Sequence, residues 1–144
     1  AYAEFTYTNT FGEWSGKAAG GSSGKECLQI NVKDNSAFGS FVQIPAVDGT
    51  IEKIEVTIRE PYKGRAIGIF PVGYTYTKDT LDKMKEQLAK DAIAISNETP
   101  SDVNNNEPFT FVIDNLSAKN LTQFSIFPTL GAVSITAITV TYSK

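Results

Sequence analysis

The segment from Gly39 to Arg59 constrains this chain more than any other, because two alternating apolar runs flank an Asp48-Gly49 pair. In the first run Val42 and Ile44 share one side, with Phe41 and Gln43 on the other. In the second, Ile54, Val56 and Ile58 share one side, opposite Lys53, Glu55, Thr57 and Arg59. A period of two marks half-buried strands. An Asp-Gly between two such runs predicts a β-hairpin. Pro45 has no N–H to give a sheet ladder, so its strand is expected to stop beside it or to lie at an edge.

The same alternation recurs along the chain. It predicts strands over residues 2–9, 25–33, 66–72, 108–114, 121–128 and 133–142. In the last of these the apolar positions move from odd (Val133, Ile135) to even (Ile138, Val140, Tyr142), which predicts a bulge near Thr136-Ala137. Residues 12–24, rich in Gly, Ser and Ala, read as a loop that carries the only tryptophan, Trp14. Gly68-Ile69-Phe70-Pro71 and Ser125-Ile126-Phe127-Pro128 look alike, as two strands in equivalent roles would. Residues 79–91 break the pattern. Leu81, Met84, Leu88 and Ala92 recur at helical spacing with charged residues between them, which predicts one amphipathic helix capped by Thr77 or Asp79. Such a helix is expected over an open end or edge of the sheet. The sum is an all-β chain: a two-sheet antiparallel sandwich of jelly-roll type, about eight strands, with one inserted helix. At 144 residues it fits a single domain spanning 1–144. Beginning at Ala1 without Met, it reads as a mature form or a module of a larger protein.

Charge and composition exclude several functions. With a net charge of −3 and both signs interspersed, the surface is not expected to attract nucleic acid or an anionic membrane. No apolar run approaches the ~20 residues that span a bilayer. Cys27 is the single cysteine, so no disulfide forms within the chain. No histidine is present, which removes the Ser-His-Asp triad, the Cys-His dyad and the common zinc sites. Asp102-Val103-Asn104-Asn105-Asn106 matches the start of a calcium loop. Glu107 stands where the loop needs Gly, and Ile113 where it needs the closing Glu. No metal is expected there.

The run F-V-Q-I-P-A-V-D-G-T-I-E-K-I-E-V-T over residues 41–57 and the ending V-S-I-T-A-I-T-V-T-Y resemble the jelly-roll carbohydrate-binding modules of bacterial secreted and surface glycan-degrading proteins. The resemblance covers the central segment and the two ends. It implies an extracellular, secreted or cell-surface module, covalently joined to a catalytic or surface domain, that binds a polysaccharide or oligosaccharide as a monomer. Many members hold a structural calcium with an acidic residue in the last strand. Residues 133–142 contain no Asp or Glu, which counts against that calcium.

Glycan binding needs aromatic rings for the flat C–H faces of sugars and planar polar groups for the hydroxyls. Trp14, Tyr74 and Tyr76 are the candidate stacking platform, with Tyr62 beside Lys63 and Arg65 as a further ring. Arg65 and the amides Gln29, Asn31, Gln43 and Gln123 are the candidate hydroxyl partners. For each ring the competing role is core packing, and for the amides an ordinary solvated face. Glycoside hydrolysis needs two carboxylates at a set separation. None of the acids stands in such a motif, so no enzymatic activity is expected. The alternative is a structural or adhesin-like surface domain with no sugar ligand.

Overall fold

The computed structural model describes all residues from Ala1 to Lys144. Its strands are β1 (Ala3–Thr8), β2 (Glu13–Gly20), β3 (Leu28–Ile30), β4 (Phe41–Gln43), β5 (Thr50–Arg59), β6 (Ile67–Phe70), β7 (Ala94–Ile95), β8 (Phe109–Ile113), β9 (Ser125–Pro128) and β10 (Val133–Ser143). Helix α1 covers Leu81–Asp91, and a short 3-10 turn covers Ser117–Lys119. Every pairing is antiparallel.

The strands make one hydrogen-bonded path, β7-β6-β9-β4-β2-β3-β10-β5-β8, with β1 added alongside β2. The sheet curls until it is nearly closed. β2 is the corner. Its residues 15–17 pair with β4, whereas Ala19 and Gly20 pair with β3. The two sets of strands expected as separate sheets are joined at β2 into this continuous path. A core of 17 buried residues fills the interior and includes Val42, Ile54, Val56, Ile58, Ile69, Phe111 and Ile126. These are the inward positions of the alternating runs, because successive strand side chains point to opposite faces.

The Asp48-Gly49 hairpin does not form. β4 pairs with β2 and β9, and β5 pairs with β10 and β8. Pro45 ends the pairing of β4 as expected. The chain beyond it runs along residues 121–124, through bonds from Ile44 N–H to the Phe124 carbonyl, Val47 to Thr122 and Ile51 to Leu121. Asp48-Gly49 then carries the chain across to the other half of the sheet. Glycine is needed there for close approach, since a Cβ at residue 49 would lie 2.2 Å from the Ser143 carbonyl oxygen.

Residues 13–20 form a strand where a loop is expected. Small residues fill it because its neighbours come close: a Cβ at Gly16 would sit 2.2 Å from the Phe41 carbonyl oxygen. The two look-alike runs prove to be direct neighbours. Ile69 stands opposite Ile126, and Gly68 opposite Phe127. The two isoleucines point into the main core, while Phe70 and Phe127 point out. α1 covers that outer face. Met84 and Leu88 join Val32, Phe70, Tyr76 and Phe127 in a second buried cluster. The helix thus lies over the sheet face near its β7 edge rather than over an open end. Its N-cap is Thr80, whose Oγ1 accepts from Lys83 N–H, in place of the expected Thr77 or Asp79. The bulge falls where the change of face placed it, between Ile135 and Ala137.

Candidate functional site

The β1–β2 hairpin builds an aromatic patch. Its ladder pairs residues 3–8 with 13–18 and sets Tyr7 opposite Trp14. The turn between them is organised by one oxygen. Asn9 Oδ1 accepts from the backbone N–H of Phe11 at 3.0 Å and of Gly12 at 3.2 Å, and from Trp14 Nε1 at 3.0 Å. Asparagine suits this position because its short amide closes a turn on its own backbone. The third bond fixes the indole. Phe11 lies 5.7 Å from Trp14 and meets Tyr142 of β10 edge-on at 6.5 Å. Tyr7 is 60% exposed, and Phe11 and Tyr142 are 38% exposed each. Together these side chains make an exposed apolar patch.

Trp14 also lines an open groove of about 600 Å³ between the hairpin and β10, a size suited to a small ligand. Phe5, Tyr7, Leu28, Ile135 and Ile138 form its apolar wall. Cys27, half-buried, and Glu26 complete the rim. Backbone N–H groups of Glu26 and Gly24 bond the Glu26 carboxylate and hold its pKa below the usual value. Sequence reading found Trp14 but missed Tyr7, Phe11 and Tyr142. Assigning the Trp14 segment to a loop hid the cross-strand pair.

Tyr74 and Tyr76 do not join this patch. Tyr76 is 2% exposed, and its hydroxyl accepts from Gly39 N–H at 3.0 Å. Tyr74 stacks on Phe70 at 4.6 Å, and its hydroxyl donates to Asp91 at the end of α1 at 2.8 Å. Both rings bind the helix to the β6–β9 face, beside Val32 and Phe41. Burial raises the pKa of both phenols, and the Asp91 carboxylate raises that of Tyr74 further. The expected three-ring platform is therefore not assembled.

The polar candidates divide. Gln29, Arg59, Tyr62, Arg65 and Ser134 surround a second cleft of about 160 Å³. Gln29 accepts from the Tyr2 hydroxyl at 2.8 Å and donates to Ser134 Oγ at 3.4 Å. Arg65 is held firmly: its Nε donates to the Ala132 carbonyl at 3.1 Å, and its guanidinium lies 5.8 Å from the centre of the Tyr62 ring. Tyr62 itself is 59% exposed. Glu60, next to Arg59, has a left-handed backbone at φ 47°, a conformation that side chains other than Gly seldom adopt. The remaining amides lie elsewhere. Asn31 Oδ1 accepts from Val32 N–H, and Gln123 Nε2 donates to the Ile44 carbonyl. Gln43 stands on β4 opposite Ser15 and Ser125. These three do not line the cleft with Gln29.

In the loop that resembles the start of a calcium site, Asn104 Oδ1 accepts from Asn106 N–H, and Asn105 Nδ2 donates to the Pro61 carbonyl. No group of three or more acidic or thiol side chains is placed to hold a metal ion. No helix is long and apolar enough to cross a membrane. No protein-family model matches the chain, and no curated protein or solved structure matches it.

Proposed function

We propose that this chain is a non-catalytic carbohydrate-binding module, and that it grips polysaccharide on the ring patch of Tyr7, Phe11, Trp14 and Tyr142 and along the adjoining groove. The observation that carries this is the exposure of Tyr7, Phe11 and Tyr142 around the half-buried Trp14 on a firm β-scaffold. Sugar C–H faces stack on such rings, each contributing about 0.5–1.5 kcal/mol beyond area burial. A few such contacts, less the cost of ordering a chain, correspond to affinities on the order of micromolar to millimolar. Glu26 is the one acid on the groove wall, whereas glycoside hydrolysis needs a pair of carboxylates. This supports binding without cleavage.

In such a module the two halves of the curled sheet correspond to the faces of a jelly-roll sandwich. It works outside the cell, secreted or at the surface, as a monomer that carries a linked catalytic or surface domain to its substrate. It needs no cofactor. A second reading, a structural or adhesin-like domain without a sugar ligand, draws on the burial of Tyr76 and the packing of Tyr74 beneath the helix. Affinity electrophoresis against plant, algal and host polysaccharides separates the two. Retardation by one glycan class that Trp14→Ala abolishes supports the module. No retardation by any of them favours the surface domain.

A further inference from the structure

The chain contains two arginines, Arg59 and Arg65, and both line the small cleft beside Gln29 and Ser134. In a protein of net charge −3, both guanidinium groups are thus gathered in one place. Arg65 is fixed in place by the Ala132 carbonyl and by Gly131, where an added Cβ would come within 2.9 Å of its Nε. Arg59 is under-used. Its Nε is buried with no hydrogen-bond partner, its Nη1 reaches the Gly24 carbonyl at 3.4 Å, and its Nη2 lies 4.0 Å from Glu60. A buried donor without a partner loses its solvation and gains nothing in return.

Glu60 lines the same cleft and Glu26 lies near it, but neither acid closes a short bond on Arg59. Glu60 pairs with Lys25 at 3.2 Å, and Glu26, which also feels Arg59, accepts from Gly24 N–H at 3.0 Å. A planar two-oxygen anion fits the donor fork of a guanidinium better than any hydroxyl. The volume of about 160 Å³ is that of roughly five waters, enough for the carboxylate edge of one sugar but not for a chain. Gln29 and Ser134, joined by a long 3.4 Å bond, add polar groups to the wall, and the exposed ring of Tyr62 lines it too.

We infer that this cleft is an anion subsite for the carboxylate of a uronic acid residue, which makes the ligand an acidic polysaccharide. As a statement about the glycan this rests on the carbohydrate-binding proposal, but the subsite is separate from the ring patch and can be tested apart from it. The test follows the ¹H–¹⁵N signals of Arg59 Nε, Arg65 Nε and Trp14 Nε1 during titration with oligogalacturonate, its methyl ester and a sulfated galactan oligomer.

The acid oligomer is expected to shift both arginine signals and to bind about tenfold tighter than the uncharged ester, as charge-assisted bonds do. Arg59→Gln and Arg59→Lys should both remove that preference, the second because an ammonium keeps the charge and loses the fork. Equal affinity for acid and ester, with only Trp14 shifting, would overturn the subsite and leave the carbohydrate-binding module standing. Arginine shifts with Trp14 unmoved, and no neutral glycan bound, would keep the subsite and overturn the ring patch. Tighter binding of the sulfated oligomer would overturn the carboxylate assignment, and silence at both arginines would overturn the subsite altogether.

Discussion

Tyr7 stands directly across the β1–β2 ladder from Trp14, so both rings project from one face of the hairpin. Phe11 from the turn and Tyr142 from the last strand extend the same patch. Residues far apart in the chain thus meet, Tyr7 and Trp14 by strand register and Tyr142 by tertiary packing.

Truncating the rings separates binding from folding. Tyr7→Ala is expected to weaken polysaccharide binding roughly three- to tenfold, the loss of about one stacked ring. Because Tyr7 is 60% exposed, its loss should move stability by no more than about 0.5 kcal/mol. Calorimetric titration and a thermal melt of the same sample check both halves.

Asn9 is expected to matter more than a turn residue usually does. Its Oδ1 serves three donors, among them the indole N–H. Asn9→Ala should destabilise the hairpin by about 1–2 kcal/mol and free the Trp14 ring. Asn9→Asp keeps the acceptor and should stay near wild type. Urea unfolding followed by tryptophan emission measures both.

Gly16 stands where β2 meets β4. Its Cβ would lie 2.2 Å from the Phe41 carbonyl oxygen, backbone that has no room to give. Gly16→Ala should cost about 2 kcal/mol or more by parting the two strands. Loss of amide protection at Ser15 and Lys17 in hydrogen exchange, ahead of the β5–β10 amides, would confirm where the damage falls.

Alkaline pH should loosen the helix first. Burial raises the Tyr76 and Tyr74 pKa above the ordinary 10.0. The native state therefore keeps its phenol protons at a pH where the unfolded chain releases them. The stability tied to those protons is complete below about pH 10 and is lost as pH rises through the folded values. Tyr76→Phe should flatten this decline. It should also cost about 1 kcal/mol at neutral pH, because Gly39 N–H loses its acceptor. Unfolding curves collected between pH 8 and 11 give both quantities.

Strand faces were legible in the sequence because burial enforces alternation: Ile54, Val56 and Ile58 all lie in the core, and the change of face in β10 located its bulge. The helix was legible because Met84 and Leu88 keep a helical spacing. Pairing was not. Asp48-Gly49 looks like a hairpin turn, but local turn chemistry does not reveal that residues 44–51 lie along residues 121–124. β2 was hidden because close approach of Phe41 selects glycine, which reads as loop. The site suffered in the same way. Trp14 was legible as an unusual residue, but its partners Tyr7, Phe11 and Tyr142 come from register and tertiary packing. Tyr74 and Tyr76 looked available because nothing local shows that α1 folds back over them.

The most direct test of glycan binding at the ring patch uses the emission of Trp14, the single tryptophan. Saturable change in its intensity and wavelength on titration with a retarded polysaccharide, weakened roughly three- to tenfold by Tyr142→Ala, is the expected result. Emission that stays constant while the same polysaccharide binds would contradict a site at this patch.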